Sequence, residues 1–256
     1  MPQNLLFFDL DGTLCLDHTL QVPAATQAIF PTLIANGNLP VVVTGRSLYE
    51  VQPLLNQLHI KNYILSNGSY IVADQQLVQQ TQIAQADMVQ LRQVAQAQGD
   101  DLAYFNQQGF AVTGINARTQ AHMNRLGIAS APIKPDFYVH QPVNFMNAYM
   151  DAQHEAPYLQ RLGHHLRFIR YDPMAVNIVP QNVSKGQAIQ TFLAKNKVQV
   201  GATYAFGDQD NDLGMFAHAT YRIAMHAATS ALQQQATFVA TTDNGVLAGL
   251  QYYHLI

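Results

Sequence analysis

The stretch Leu5-Leu6-Phe7-Phe8-Asp9-Leu10-Asp11-Gly12-Thr13 decides how the rest of the 256-residue chain reads. Its apolar run, Leu5 to Leu10, is nearly continuous, the pattern of a strand buried on both faces, and it ends in the turn signal Asp11-Gly12-Thr13. A parallel central strand is the expectation. Asp9 still lies inside the apolar run, where an unpaired carboxylate is costly, so a turn role alone does not account for it.

Working outward, the same pattern repeats. Pro23 to Gly37 has helical spacing through Ala24, Ala28, Ile29 and Leu33, and Leu39 to Val43 is a second apolar run closed by Thr44-Gly45. Ser47 and Glu50 stand at capping-box spacing ahead of Val51, Leu54, Leu55 and Leu58, and Tyr63 to Leu65 leads into Asn67-Gly68. Strands that each stop at a polar, glycine-containing loop, with helices between them, predict an α/β fold built on a doubly wound, Rossmann-like parallel sheet. In such sheets ligands bind at the strands' carboxyl ends.

Between 82 and 181 the composition changes. A Gln-rich helix (Met88, Leu91, Val94, Ala95), the run Phe110 to Thr113, a second helical stretch and a region with Pro132, Pro135, Pro142 and Pro157 predict an inserted α+β domain. The core is then expected in two pieces, 1–81 and 182–256. In the second piece Ser184 and Gln187 cap a helix, and the strand Thr203 to Phe206 runs into Gly207-Asp208.

With 48% hydrophobic residues and no long apolar run, disordered and membrane-spanning classes are excluded. A formal net charge of −3 without a Lys/Arg cluster predicts neither nucleic acid nor a membrane surface as partner. The single cysteine, Cys15, excludes an intrachain disulfide and a multi-cysteine zinc site, and fits a cytoplasmic location. The first residues lack a basic n-region and meet an acid at Asp9, so they read as a strand and not as a signal peptide.

Asp9 and Asp11 are two apart, and a strand's period of two would put both carboxylates on one side. Facing carboxylates repel unless a cation lies between them or a proton is shared, and the spacing predicts a hard metal such as Mg²⁺. One carboxylate can attack phosphorus to form an acyl phosphate while a second acid protonates the leaving oxygen and later activates water; Asp9 suits the first role and Asp11 the second. Thr44-Gly45-Arg46, between a buried strand and a helix, forms an anion pocket at the helix's positive end. Lys185 opens a helix where the macrodipole disfavours a cation, so helix stability does not account for it, whereas phosphoryl oxygens would. In Gly207-Asp208-Gln209-Asp210-Asn211-Asp212, Asp208 lies nearest the strand end and is the expected metal ligand, while Asp210 is expected only to serve the helix's first turn.

Taken in this order, the four segments resemble the haloacid dehalogenase superfamily, and within it the Cof-type hydrolases with a large type-C2 cap. Asn67-Gly68, Ala224-Met225 and Thr242 to Gly245-Val246 extend the resemblance. It implies a magnesium-dependent phosphatase in which Asp9 is the nucleophile, Asp11 the acid and base, and Thr44 and Lys185 bind the phosphoryl group beside Gly45 and Arg46. Magnesium is implied to be held by Asp9, the backbone carbonyl of Asp11 and Asp208, with Asn211 and Asp212 supporting phosphate and metal. The implied substrate is a small phosphorylated metabolite, a sugar phosphate being expected, with a cap that closes over the site, in a monomer or small homo-oligomer. His226-Ala227-Ala228 stands where many relatives have Gly-Asn-Ala, and the insertion matches only in length and position. Two other readings stay open, a phosphomutase and a non-catalytic module that binds a phosphorylated ligand.

Overall fold

The structure, a computed structural model, describes residues 3–16, 19–195 and 199–256. Met1 and Pro2, which begin the stretch expected to carry no leader, lie outside the described residues. The chain runs β1 (Gln3–Phe8), α1 (Ala24–Ala35), β2 (Leu39–Val43), α2 (Leu48–Gln57), β3 (Asn62–Leu65), β4 (Tyr70–Ala73) and β5 (Gln76–Gln80). Then come α3 (Gln85–Gln98), β6 (Asp101–Phe105), β7 (Phe110–Val112), α4 (Ala117–Arg125), α5 (Phe137–His140), β8 (Phe145–Tyr149), α6 (Glu155–Leu162), β9 (Leu166–Asp172) and β10 (Ala175–Pro180). It closes with α7 (Lys185–Lys195), β11 (Val200–Gly207), α8 (Leu213–Phe216), β12 (Tyr221–Ala224), α9 (Ser230–Gln235), β13 (Phe238–Val239) and α10 (Gly245–Tyr252). These form two compact units, Met1–Arg46 with Glu50–Gln79 and Ser184–Ile256, and Ser47–Tyr49 with Gln80–Val183.

The first unit is an eight-stranded sheet in the order β13-β12-β11-β1-β2-β3-β4-β5. The pairs β12–β13, β11–β12, β1–β11, β1–β2 and β2–β3 are parallel, and β3–β4 is antiparallel. Successive residues of β1 point to opposite faces. Phe7 meets Phe192 of α7 edge-on at 6.2 Å, and Phe8 packs on Phe30 of α1 at 5.8 Å and Phe206 of β11 at 4.6 Å. Helices thus cover both faces, which is why the strand is apolar throughout. Leu5, Phe7, Val41, Val43, Ile64, Ile189 and Ala205 share one buried cluster.

The strand ends earlier than the apolar run does. Asp9 N still donates to Phe206 O at 3.0 Å, but the next donors turn back within the loop: Thr13 N to Leu10 O at 3.1 Å and Cys15 N to Leu10 O at 2.8 Å. Leu10 is buried as the apolar anchor of this turn, not as a strand residue. Cys15 is buried too. After β3 the backbone takes left-handed conformations at Ser66 (φ 53°), Asn67 (φ 56°) and Gly68 (φ 108°). A Cβ on Gly68 would sit 2.6 Å from the carbonyl oxygen of Ser184, the residue that caps α7 by accepting from Gln187 N at 3.1 Å.

The second unit is a five-stranded sheet, β7-β6-β8-β10-β9, with every neighbouring pair antiparallel. One face packs Leu102, Tyr104, Met146 and Ile178 against Leu91 of α3 and Tyr158 of α6. Residue alternation turns Tyr149 to the other face, where His122 of α4 lies against it with ring centroids 5.3 Å apart. Among the described residues no helix is long and apolar enough to cross a membrane.

Two outcomes follow. Gly68→Ala adds a strained conformation and a backbone clash, so it is expected to cost about 2 kcal/mol, seen as a thermal midpoint lowered by roughly 5 °C; an unchanged midpoint contradicts the packing described. In the second unit, burial holds the His122 imidazole below its ordinary 6.5, with Arg125 lowering it further and Asp172 opposing. The folded chain then resists a proton that the unfolded chain accepts, so stability present above pH 6.5 is lost as the pH falls below it. Denaturant titrations of His122→Gln are expected to show a shallower loss of stability over that acid range than the wild type.

Candidate active site

Because β1, β2, β3 and β11 are parallel, the loops that follow them gather at one edge of the sheet. The chain proceeds from β1 to β2 and β3 on one side and from β11 to β12 and β13 on the other, so strand order reverses between β1 and β11. That reversal opens a crevice at the carboxyl ends. Asp9 directly follows β1, and Asp208 directly follows β11.

Lys185 is the first residue of α7 and only 3% exposed. Its Nζ donates to Asp9 Oδ1 at 2.6 Å and to Asp212 Oδ1 at 2.7 Å. The second oxygen of Asp212 accepts from the backbone N–H groups of Asp208 (3.0 Å) and Gln209 (3.2 Å), which fixes the turn that opens the helical segment. Asp208 accepts from Thr13 Oγ1 and from Gln209 Nε2, each at 3.0 Å. Gly12 has φ 89°, and any Cβ there would collide with the Asp208 carboxylate, so the glycine is what lets these two loops close on one another.

Burial pushes the Asp9 carboxyl well above the usual carboxylate range; Lys185 pulls it back, while Asp212 and Asp208 push it further. Burial likewise raises Asp208, with Asp212 adding to the rise. For Lys185 burial opposes the charge, yet Asp212 and Asp9 outweigh it and hold the ammonium above the ordinary lysine value.

Asp9, Asp208 and Asp212 each offer a carboxylate oxygen within 4.8 Å of the others, and all three residues are buried. Three buried carboxylates around one ammonium leave negative charge uncompensated among the described residues, and oxygen-only donors at this spacing suit a hard divalent cation. The donor set therefore fits a metal ion.

The remaining expected residues are placed differently. The Asp11 carboxylate is not in this cluster: Arg46 grips it with Nε to Oδ2 at 2.8 Å and Nη2 to Oδ1 at 2.6 Å. The strand has already turned at Asp11, so the period of two does not apply to its side chain. Thr44 is buried at the end of β2, its hydroxyl accepting from Arg46 N at 3.2 Å and its carbonyl from Asn67 N at 3.1 Å. Gly45 lies between them in the same loop. Asn211 is exposed, and Asp210 accepts from Thr229 Oγ1 at 2.6 Å on the surface.

Thr13, Asn67, Gln209 and Glu50 were not singled out for the site, yet they support it. The signals were available: Thr13 is part of the quoted stretch, and Glu50 stands four residues after Arg46, with which it pairs at 3.6 Å. Asn67 is a residue type that tolerates the left-handed turn required there.

Known proteins resemble the chain over nearly its whole length. YkrA of Bacillus subtilis (strain 168) is 27% identical over 247 residues, 93% of this chain and 92% of the relative. The 5-amino-6-(5-phospho-D-ribitylamino)uracil phosphatase YwtE of the same organism is 25% identical over 270 residues, 93% of each chain. Among solved structures, the phosphatase BT1666 of Bacteroides thetaiotaomicron superposes with a TM-score of 0.89 at 21% identity, covering 100% of this chain and 96% of its own. The family model for haloacid dehalogenase-like hydrolases matches residues 6–250, and so the chain belongs to the haloacid dehalogenase-like hydrolase family.

Proposed function

We propose that the protein is a magnesium-dependent phosphatase that hydrolyses a small phosphorylated metabolite, of the sugar-phosphate class, through an aspartyl phosphate on Asp9. The observation that carries this reading is the Lys185 ammonium buried between Asp9 and Asp212 at 2.6 and 2.7 Å, in a cluster with a third carboxylate, Asp208. Family membership supports the reaction class. The name of YwtE, a phosphatase for a 5-phospho-D-ribityl compound, supports the substrate class.

In this reading a carboxylate oxygen of Asp9 attacks phosphorus while the bond to the leaving oxygen breaks, and Asp11 passes a proton to that oxygen. Asp11 then takes a proton from water as the water attacks the same phosphorus, which frees phosphate and restores Asp9. Lys185, the Thr44 hydroxyl and the backbone N–H groups of Gly45 and Arg46 bind phosphoryl oxygens, with Asn211 beside them. Magnesium, held by Asp9, Asp208, Asp212 and the carbonyl of Asp11, would supply positive charge to the transferring group and offset the crowded carboxylates. The proposal includes a core of 1–81 and 182–256 and an inserted cap of 82–181 that sets substrate choice.

Phosphate release from a panel of sugar phosphates, nucleotides and phosphorylated cofactors tests it, with and without Mg²⁺. Turnover is expected only with the metal, and Asp9→Asn is expected to lose about 10³-fold or more in kcat; folded protein inactive on the whole panel overturns the reading. A second expectation concerns the intermediate. Asp11→Asn, quenched in acid after exposure to p-nitrophenyl phosphate, should carry hydroxylamine-labile phosphate that Asp9→Asn lacks, because the variant can still form the acyl phosphate but lacks the base to hydrolyse it.

A further inference from the structure

The guanidinium of Arg46 is aimed at carboxylates of its own chain. Nε and Nη2 form a two-pronged grip on both oxygens of Asp11, at 2.8 and 2.6 Å, and Nη1 lies 3.6 Å from Glu50 Oε1, one turn along the chain. All three side chains are largely shielded, with 20%, 24% and 25% exposure for Arg46, Asp11 and Glu50. A planar fork of this kind fixes both the distance and the plane of the carboxylate it holds, which a lysine cannot do.

The Asp11 side chain needs such an anchor. It lies beyond the end of β1, in a turn whose main chain is tied down by Gly12 N to Cys15 O at 2.7 Å, and the Arg46 fork holds both of its carboxylate oxygens there.

We infer that Arg46 is a positioning residue for Asp11, oriented in turn by Glu50, and that it aims the Asp11 carboxyl at the leaving oxygen instead of binding the transferring phosphoryl group with its side chain. The inference rests on the phosphatase reading. It assigns the guanidinium a role distinct from the phosphate contact expected from the Thr44-Gly45-Arg46 segment, and it brings Glu50 into the site.

The two roles differ in how they depend on the leaving group. kcat/KM reports events up to formation of the phosphoenzyme, and the nitrophenolate of p-nitrophenyl phosphate departs without a proton, whereas a sugar alkoxide needs one. A residue that acts by aiming Asp11 therefore matters for the sugar ester and little for the aryl ester. A residue that binds the phosphoryl group matters equally for both.

The test measures kcat/KM for Arg46→Lys, Glu50→Gln, Asp11→Asn and wild type, in Mg²⁺, with p-nitrophenyl phosphate and with a sugar phosphate that the wild type turns over. Misplacement of a reacting group by about 1 Å costs on the order of 100-fold, so Arg46→Lys is expected to lose about that much on the sugar ester and under about tenfold on the aryl ester. Glu50→Gln should show the same asymmetry at smaller size, and Asp11→Asn at larger. Equal losses on both esters overturn the inference, whether they arise from a phosphoryl contact or from a damaged fold, and thermal midpoints tell those two apart. A wild type that turns over neither ester defeats the phosphatase reading itself, a result distinct from a failure of Arg46 alone.

Discussion

The ammonium of Lys185 lies between Asp9 and Asp212, and much of the first unit is arranged around that contact. It ties the end of β1, the start of α7 and the turn after β11 to one point. An ammonium placed at the head of a helix works against the helix dipole, and burying it adds a desolvation cost. Neither is offset without the two carboxylates within hydrogen-bond reach, so each partner is a condition for the others being where they are.

The loops around that contact are built from unusual backbone. The left-handed run at Ser66, Asn67 and Gly68 brings β3's exit loop against the cap of α7, and Gly12 gives Asp208 room beside the Asp9 loop. Strain of this kind persists only where the surroundings determine it several times over. Here those surroundings are the turn hydrogen bonds from Thr13 and Cys15 to Leu10, from Asn67 to Thr44 and from Ser66 to the Arg46 carbonyl.

What could be read from the sequence was legible because certain residues are wrong for their place. Phe7 and Phe8 are both apolar, and only a strand covered on both faces accounts for that, so the doubly wound sheet followed directly. Asp9 at the end of such a strand and Lys185 at a helix N-terminus each oppose a local preference, and the structure brings both into one buried cluster with Asp208 and Asp212. The Arg46–Asp11 pairing was not legible, because the period-of-two argument assumes that the strand continues past Phe8, and only tertiary hydrogen bonds stop it there. The sheet of the second unit was hidden for a similar reason. Its strands mix polar and apolar residues, as Asn147 and Asn177 do by bonding one another across β8 and β10, so short-range pattern said α+β but not the strand order.

β1 is synthesised before both of its neighbours and sits in the middle of the finished sheet, paired on one side with β2 and on the other with β11. Lys185 follows Asp9 by 176 positions. At ordinary rates of translation that interval is on the order of ten seconds or more, during which β1 has one open edge and Asp9 has no ammonium. The nascent first segment is thus a sheet with its central seam unfilled, the kind of edge on which chaperones act and strangers pair. Synthesis of the residues between Asp9 and Lys185 sets how long that exposure lasts, so each residue placed between them prolongs it.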